Sequence, residues 1–68
     1  MKKQKNVIRL HNTNNEIILI GTESIIEAIP CAIKELNIVG TKIVSRGAMV
    51  CTNWVIESVD EIYNLINS

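Results

Sequence analysis

Residues 22–40 read "TESIIEAIPCAIKELNIVG", and they can be folded in two ways. Apolar positions 25, 26, 29, 33 and 36 fall at helical spacing, and Thr22 could cap the start. Pro30 interrupts that stripe. It has no amide to donate, and it pushes Ile29 toward extended backbone. The better reading is a strand over 24–29, then an irregular or single-turn segment over 31–37, with a helix over 22–37 as the competitor.

The flanks are clearer. On the amino-terminal side "VIRLH" (7–11) is rich in branched side chains and loosely alternating, so it reads as a strand. "NTNN" (12–15) follows, with side chains that satisfy turn backbone locally and tolerate left-handed φ. "EIILI" (16–20) is then a second, more buried strand that closes a hairpin, and Gly21 ends it. On the carboxyl side "TKIVSR" (41–46) and "AMVCTNWVI" (48–56) are two strands about Gly47. With Arg46 and Gly47 as the turn, Ile43 faces Val50, Val44 faces Met49 and Lys42 lies opposite Cys51.

The last stretch, "VIESVDEIYNLI" (55–66), carries a helix start. Ser58 as N-cap accepts from the Glu61 amide, and the Glu61 side chain returns a bond to the Ser58 amide. Asp60 and Glu61 sit at the positive end of the helix dipole. Val59, Ile62, Tyr63 and Ile66 fall on one face, with Asp60, Glu61, Asn64 and Asn67 facing water. The expected architecture is α+β: a small antiparallel β-meander of four or five strands covered by a C-terminal α-helix. Residues 1–6 form a basic tail and 7–68 a single domain.

The chain has 68 residues, enough for one domain. A domain of that size buries only roughly 60% of the surface its unfolded chain exposes, so a partner subunit often makes up the shortfall. Thirteen isoleucines against one Trp, one Tyr and no Phe supply a β-branched core. Seven basic and seven acidic residues cancel, which argues against a dedicated duplex-binding domain. The charge is uneven: Lys2, Lys3, Lys5 and Arg9 crowd the start, and Glu57, Asp60 and Glu61 gather near the final helix. A solvated tail is the plain account of the basic cluster, and an arm that touches an acidic partner is the sharper one.

Cys31 and Cys51 lack CxxC spacing and lie in apolar surroundings, so they read as buried free thiols, with a disulfide or a metal as the alternatives. Free thiols suit a reducing, cytoplasmic setting, in a bacterium or in phage-infected host cytoplasm. No apolar run reaches transmembrane length, and "MKKQKNVIRLHN" turns polar too soon for a signal peptide.

The order of these pieces resembles the small flagellar FlbD/SwrD-type proteins and their uncharacterised relatives in bacteria and phages. Their pattern runs from an "I-x-L" strand through an "N-P-D-x-I" type turn to "T-x-I", a glycine turn and "V-x-E-S-V-x-E-I". Ile8 and Leu10 match the first strand, Glu23 and Ile25 the second turn, and Thr41 and Ile43 the "T-x-I" strand. Gly47 matches the hairpin glycine, and Val55, Glu57, Ser58, Val59, Glu61 and Ile62 the final motif. The chain differs in having Gly21 in place of asparagine, a longer "PCAIKELNIVG" connection, and a hairpin about two residues longer. The resemblance implies a strand meander closed by a helix, and a small accessory or regulatory protein without catalysis. It carries over no functional site.

Enzyme constellations are missing: there is no GxGxxG, no phosphate-cradling glycine loop and no GxSxG. His11 is the sole imidazole and reads as a surface or half-buried strand residue. Two of the three carboxylates among Glu57, Asp60 and Glu61 are explained by helix capping. Trp54 either fills the core beneath the helix or stands as a partly exposed anchor of the kind favoured at interfaces. With Met49, Lys42, Arg46 and Arg9 it makes the candidate interaction surface.

The expectation is therefore a non-enzymatic interaction or accessory module, oligomeric or part of a larger assembly. Its partner is a second copy or another protein; no cofactor, metal, small-molecule substrate or membrane is expected. The alternative is a nucleic-acid-binding regulator that uses the basic start and the 42–54 hairpin, with Trp54 for base stacking.

Overall fold

In the computed structural model, which describes residues 6–68, β1 (Val7–His11) and β2 (Ile17–Gly21) pair antiparallel, with Ile8 opposite Ile20 and Leu10 opposite Ile18. Asn12 organises the turn: its Oδ1 accepts from the amides of Asn14 and Glu16, both at 2.9 Å. Asn15 adopts a left-handed φ of 64°, which asparagine tolerates better than a branched residue does. The second strand starts one residue later than expected and takes in Gly21.

The ambiguous stretch is strand. A 3-10 turn over Thr22–Ser24 leads into β3 (Ile25–Ile33). A second over Lys34–Leu36 leads, through Asn37 at φ 55°, into β4 (Ile38–Arg46). Pro30 does not end β3 at residue 29; it sits inside the strand, opposite Thr41. β3 has only β4 beside it, and an edge strand accommodates a residue without an amide. A helix through Pro30 would cost about 3 kcal/mol, so the competitor fails, and the segment expected to be irregular is strand as far as Ile33.

β4 then pairs with β5 (Val50–Val55), giving the meander β3-β4-β5. Here the expected register is wrong. Arg46 lies opposite Val50, Ile43 opposite Asn53 and Lys42 opposite Trp54, with residues 47–49 as the connection. The pairing is offset by an odd number of residues from the expected one, so the two faces of β5 exchange. Val55, and not Trp54, shares the side of Ile43.

The core follows from that exchange. Ile8, Leu10, Ile20, Ile43, Val55 and Ile62 form one buried cluster, with Ile18, Ile25, Ala28 and Ile66 packed against it. The two sheets meet at an isolated bridge between Asn12 and Val55, and the Ile56 amide donates to the His11 carbonyl at 2.9 Å. Thr41 is buried with them, and its hydroxyl donates to the Glu57 carbonyl at 2.8 Å.

α1 (Val59–Ile66) starts as its sequence indicates. The Glu61 amide donates to Ser58 Oγ at 3.1 Å and the Ser58 amide to Glu61 Oε1 at 3.0 Å, a cap worth about 1 kcal/mol. Ile62 is buried, but Tyr63 is 67% exposed and so does not belong to the packed face. Ile66 packs against the core cluster beside Ile62, while Leu65 is exposed. Five antiparallel strands in two sheets and a C-terminal helix among the described residues make an α+β fold. Among the described residues, no helix is long and apolar enough to cross a membrane.

Gly40 packs directly against the backbone at the end of β5. A Cβ there would overlap the Val55 carbonyl and lie 2.7 Å from Ile33 Cδ1, whereas one at Gly47 would meet nothing within 4 Å. Backbone cannot yield as a side-chain tip can. Gly40→Ala is therefore expected to cost about 3 kcal/mol in urea unfolding, and Gly47→Ala less than about 0.5 kcal/mol. Equal effects would show that the Gly40 approach is not tight.

Candidate functional site

Side chains alternate along a strand, and paired residues share a face. The register therefore puts Ile29, Lys42 and Trp54 in one row across β3, β4 and β5, on the face away from the core. Glu27, Val44 and Thr52 form the next row, and Arg46 stands beside Val50 beyond it. Trp54 is 47% exposed and Val50 60%. Trp54, Thr13, Cys31, Ala32, Ile33 and Glu35 border a hollow of about 300 Å³ at one end of this face.

Three of the residues singled out from sequence thus come together: Trp54, Lys42 and Arg46. The expectation that Trp54 fills the core is overturned by the register, which leaves its side chain half-exposed on the outer face. Met49 is in the connection after Arg46 and is 71% exposed, at the margin of the same face. Arg9 lies elsewhere. It borders a different groove with Glu57, Glu61, Asn64, Leu65 and Ser68, so it does not join the Trp54 surface. Lys2, Lys3 and Lys5 fall outside the described residues, and Glu27 stands on the Trp54 face. The described residues therefore do not gather Arg9, Lys42 and Arg46 into a single basic face.

Both cysteines are free thiols, but neither is buried: Cys51 is exposed and Cys31 half-buried. Cys31 points to the uncovered face with Ile29, and Cys51 pairs with Ser45 near the hairpin end, where little lies over it. Their sulfurs reach only neighbouring carbonyls, Ala32 O at 3.7 Å and Met49 O at 3.8 Å.

The sequence reading missed one constellation. Glu57 reaches back across the junction of the sheets, where its Oε1 accepts the His11 amide at 2.9 Å and its Oε2 meets His11 Nδ1 at 2.7 Å. The carboxylate side chain is 12% exposed and the imidazole 36%. This arrangement places the proton of a neutral ring on Nδ1 and leaves Nε2 as the acceptor. A carboxylate-oriented imidazole can move a proton or support a metal ligand set. Among the described residues, however, no group of three His, Cys, Asp or Glu side chains is placed to hold a metal ion. Forty-six positions separate the two partners, and nothing local to either announces the pairing.

No family model, curated protein or solved structure matches this chain.

What the His11–Glu57 contact does on this geometry is hold the sheets together. Glu57→Ala removes both carboxylate bonds and leaves the His11 amide without its acceptor; it is expected to cost about 2–3 kcal/mol. His11→Ala keeps the amide bond and should cost roughly half as much. Urea unfolding of the two variants measures this directly. Equal losses would place the whole tie in the imidazole.

Proposed function

We propose that the protein is a non-enzymatic interaction module, working as an oligomer or as a subunit of a larger assembly, and that it takes a protein partner on the outer face of β3-β4-β5. The exposed Trp54 in a row with Ile29 and Lys42 carries this reading. An exposed aromatic on one face of a small chain suits a contact site, and tryptophan and arginine, here Trp54 and Arg46, are the residue types enriched at interface anchors. Lys42 and Arg46 favour a partner that is apolar at its centre and acidic at its rim. The free thiols suit a reducing, cytoplasmic setting. A small accessory or regulatory role of the flagellar kind implied by the sequence resemblance, in a bacterium or a phage, is compatible with such a surface.

A second reading uses the same residues. Lys42 beside Trp54 is also what a single-stranded nucleic acid would stack and pair against. Zero net charge and Glu27 on the same face weigh against it.

Trp54→Ser separates the possibilities. Loss of a half-exposed side chain should lower stability by less than about 1 kcal/mol, while abolishing capture of the protein partner that the wild-type chain retains. A fall of about 3–5 kcal/mol would return Trp54 to a core role. Salt-sensitive retention of single-stranded nucleic acid by the wild type, lost in the variant, would move the function to the second reading.

A further inference from the structure

β2 is the free margin of the first sheet, and two hydrogen bonds settle which of its backbone groups face outward. The Thr22 amide donates to Asn6 O at 2.9 Å and the Asn12 amide to Glu16 O at 3.0 Å. Bonded and non-bonded pairs alternate along an antiparallel ladder. Pairs 6–22 and 12–16 flank the register of β1 and β2 without a shift, so Ile8–Ile20 and Leu10–Ile18 exchange the bonds between them. The amides and carbonyls of Ile17 and Leu19 therefore point away from β1, into the open.

The side chains match this opening. Ile17 is 58% exposed and Leu19 70%, and Val7, opposite Gly21, is 51% exposed. "IILIG" (17–21) has no charge, no proline and no bulge. The β3 margin of the second sheet is protected: it carries Glu27, Pro30 and a register shift between Ile25 and Glu27. These are devices by which edge strands avoid pairing with other chains. β3 is blunted three times over, and β2 is left bare.

We propose that β2 pairs antiparallel with β2 of a second copy, about a two-fold axis through Leu19, to form a homodimer with a sheet continuous across the interface. Centred there, all five residues of the strand find a partner. Leu19 faces the partner's Leu19 and exchanges two backbone bonds with it; Ile17 faces the partner's Gly21, and Ile18 the partner's Ile20. The Gly21 carbonyl, which already accepts Ser24 Oγ at 2.7 Å, keeps a second lone pair for the contact. An uncharged strand meets an uncharged strand. Just beyond the paired residues the exposed Glu16 and the partner's Glu23 come near each other at either end, where water and salt screen like charges. The two copies of Arg9, each one strand further in, stand about 14 Å apart at about 4.8 Å per strand, beyond the roughly 8 Å screening length of physiological salt. The second copy is thus the complementary occupant for this margin.

This dimer leaves the Trp54 face open and does not rest on the function proposed for it; Trp54→Ser should leave the dimer intact. Two variants test the pairing. In a Cys31→Ser, Cys51→Ser background, Leu19→Cys places a thiol opposite its own copy, at a Cα separation of about 5.5 Å, which a disulfide spans. Diamide treatment is expected to give a covalent dimer on a non-reducing gel, while Val50→Cys in the same background stays monomeric. Leu19→Lys sets two like charges at the axis; sedimentation across a concentration series should show the wild type passing to dimer and the variant remaining a folded single chain. A wild type that stays monomeric throughout the series overturns the proposal. So does a dimer that survives Leu19→Lys, or a Leu19→Cys chain that links no faster than Val50→Cys.

Discussion

Four consecutive residues, Val55 to Ser58, join everything this fold consists of. Val55 bridges to Asn12, Ile56 donates its amide to the His11 carbonyl, Glu57 receives Thr41 Oγ1 on its carbonyl and His11 on its carboxylate, and Ser58 caps the helix. The first hairpin, the meander and α1 have few other polar ties between them. Each of these bonds is worth about 1 kcal/mol on its own. Together they fix one end of β5 against both sheets, and the apolar cluster of Leu10, Ile43, Val55 and Ile62 closes around that fixed end.

The parts of the fold that depend on neighbours in sequence were readable from it. The Asn-rich turn and the capping box rest on contacts within five residues, and both are present. Two things resisted. Pro30 looks like a terminator because the sequence does not say that β3 has strand on one side only. The β4–β5 register resisted because "RGAMV" contains no dipeptide that dictates a two-residue turn, so a tight turn at Arg46 and Gly47 is as plausible locally as the three-residue connection that forms. The candidate surface inherited that error through Trp54, and the Glu57–His11 contact was invisible because its two halves lie far apart along the chain.

Small size shapes what remains outside. β3 contributes nine residues to the sheet, yet only Ile33 among them is buried. A strand so lightly covered is held mostly by its ladder with β4, and a ladder alone gives little net stability once water competes for the same groups. More large apolar side chains stand exposed than buried among the described residues. One short helix cannot roof both faces of a three-stranded sheet, so the face that lies away from the core stays in water.

The orientation of Trp54 then has a cause. On β5, Val50, Thr52 and Trp54 are together more apolar than Cys51, Asn53 and Val55, and hydrophobic patterning alone would turn the first set inward. The strand lies the other way round because its far end is not free to rotate. Gly40 admits the Val55 carbonyl where no side chain would fit, Asn12 pairs with Val55, and Glu57 cannot reach His11 and Thr41 together unless Val55 faces in. A slip of one residue would bury an indole and break every bond of the junction at once. Where local pattern and global arrangement disagree in a stable protein, the disagreement tends to sit at a place with a use. Here it sits at the tryptophan, with an isoleucine and a lysine in the same row.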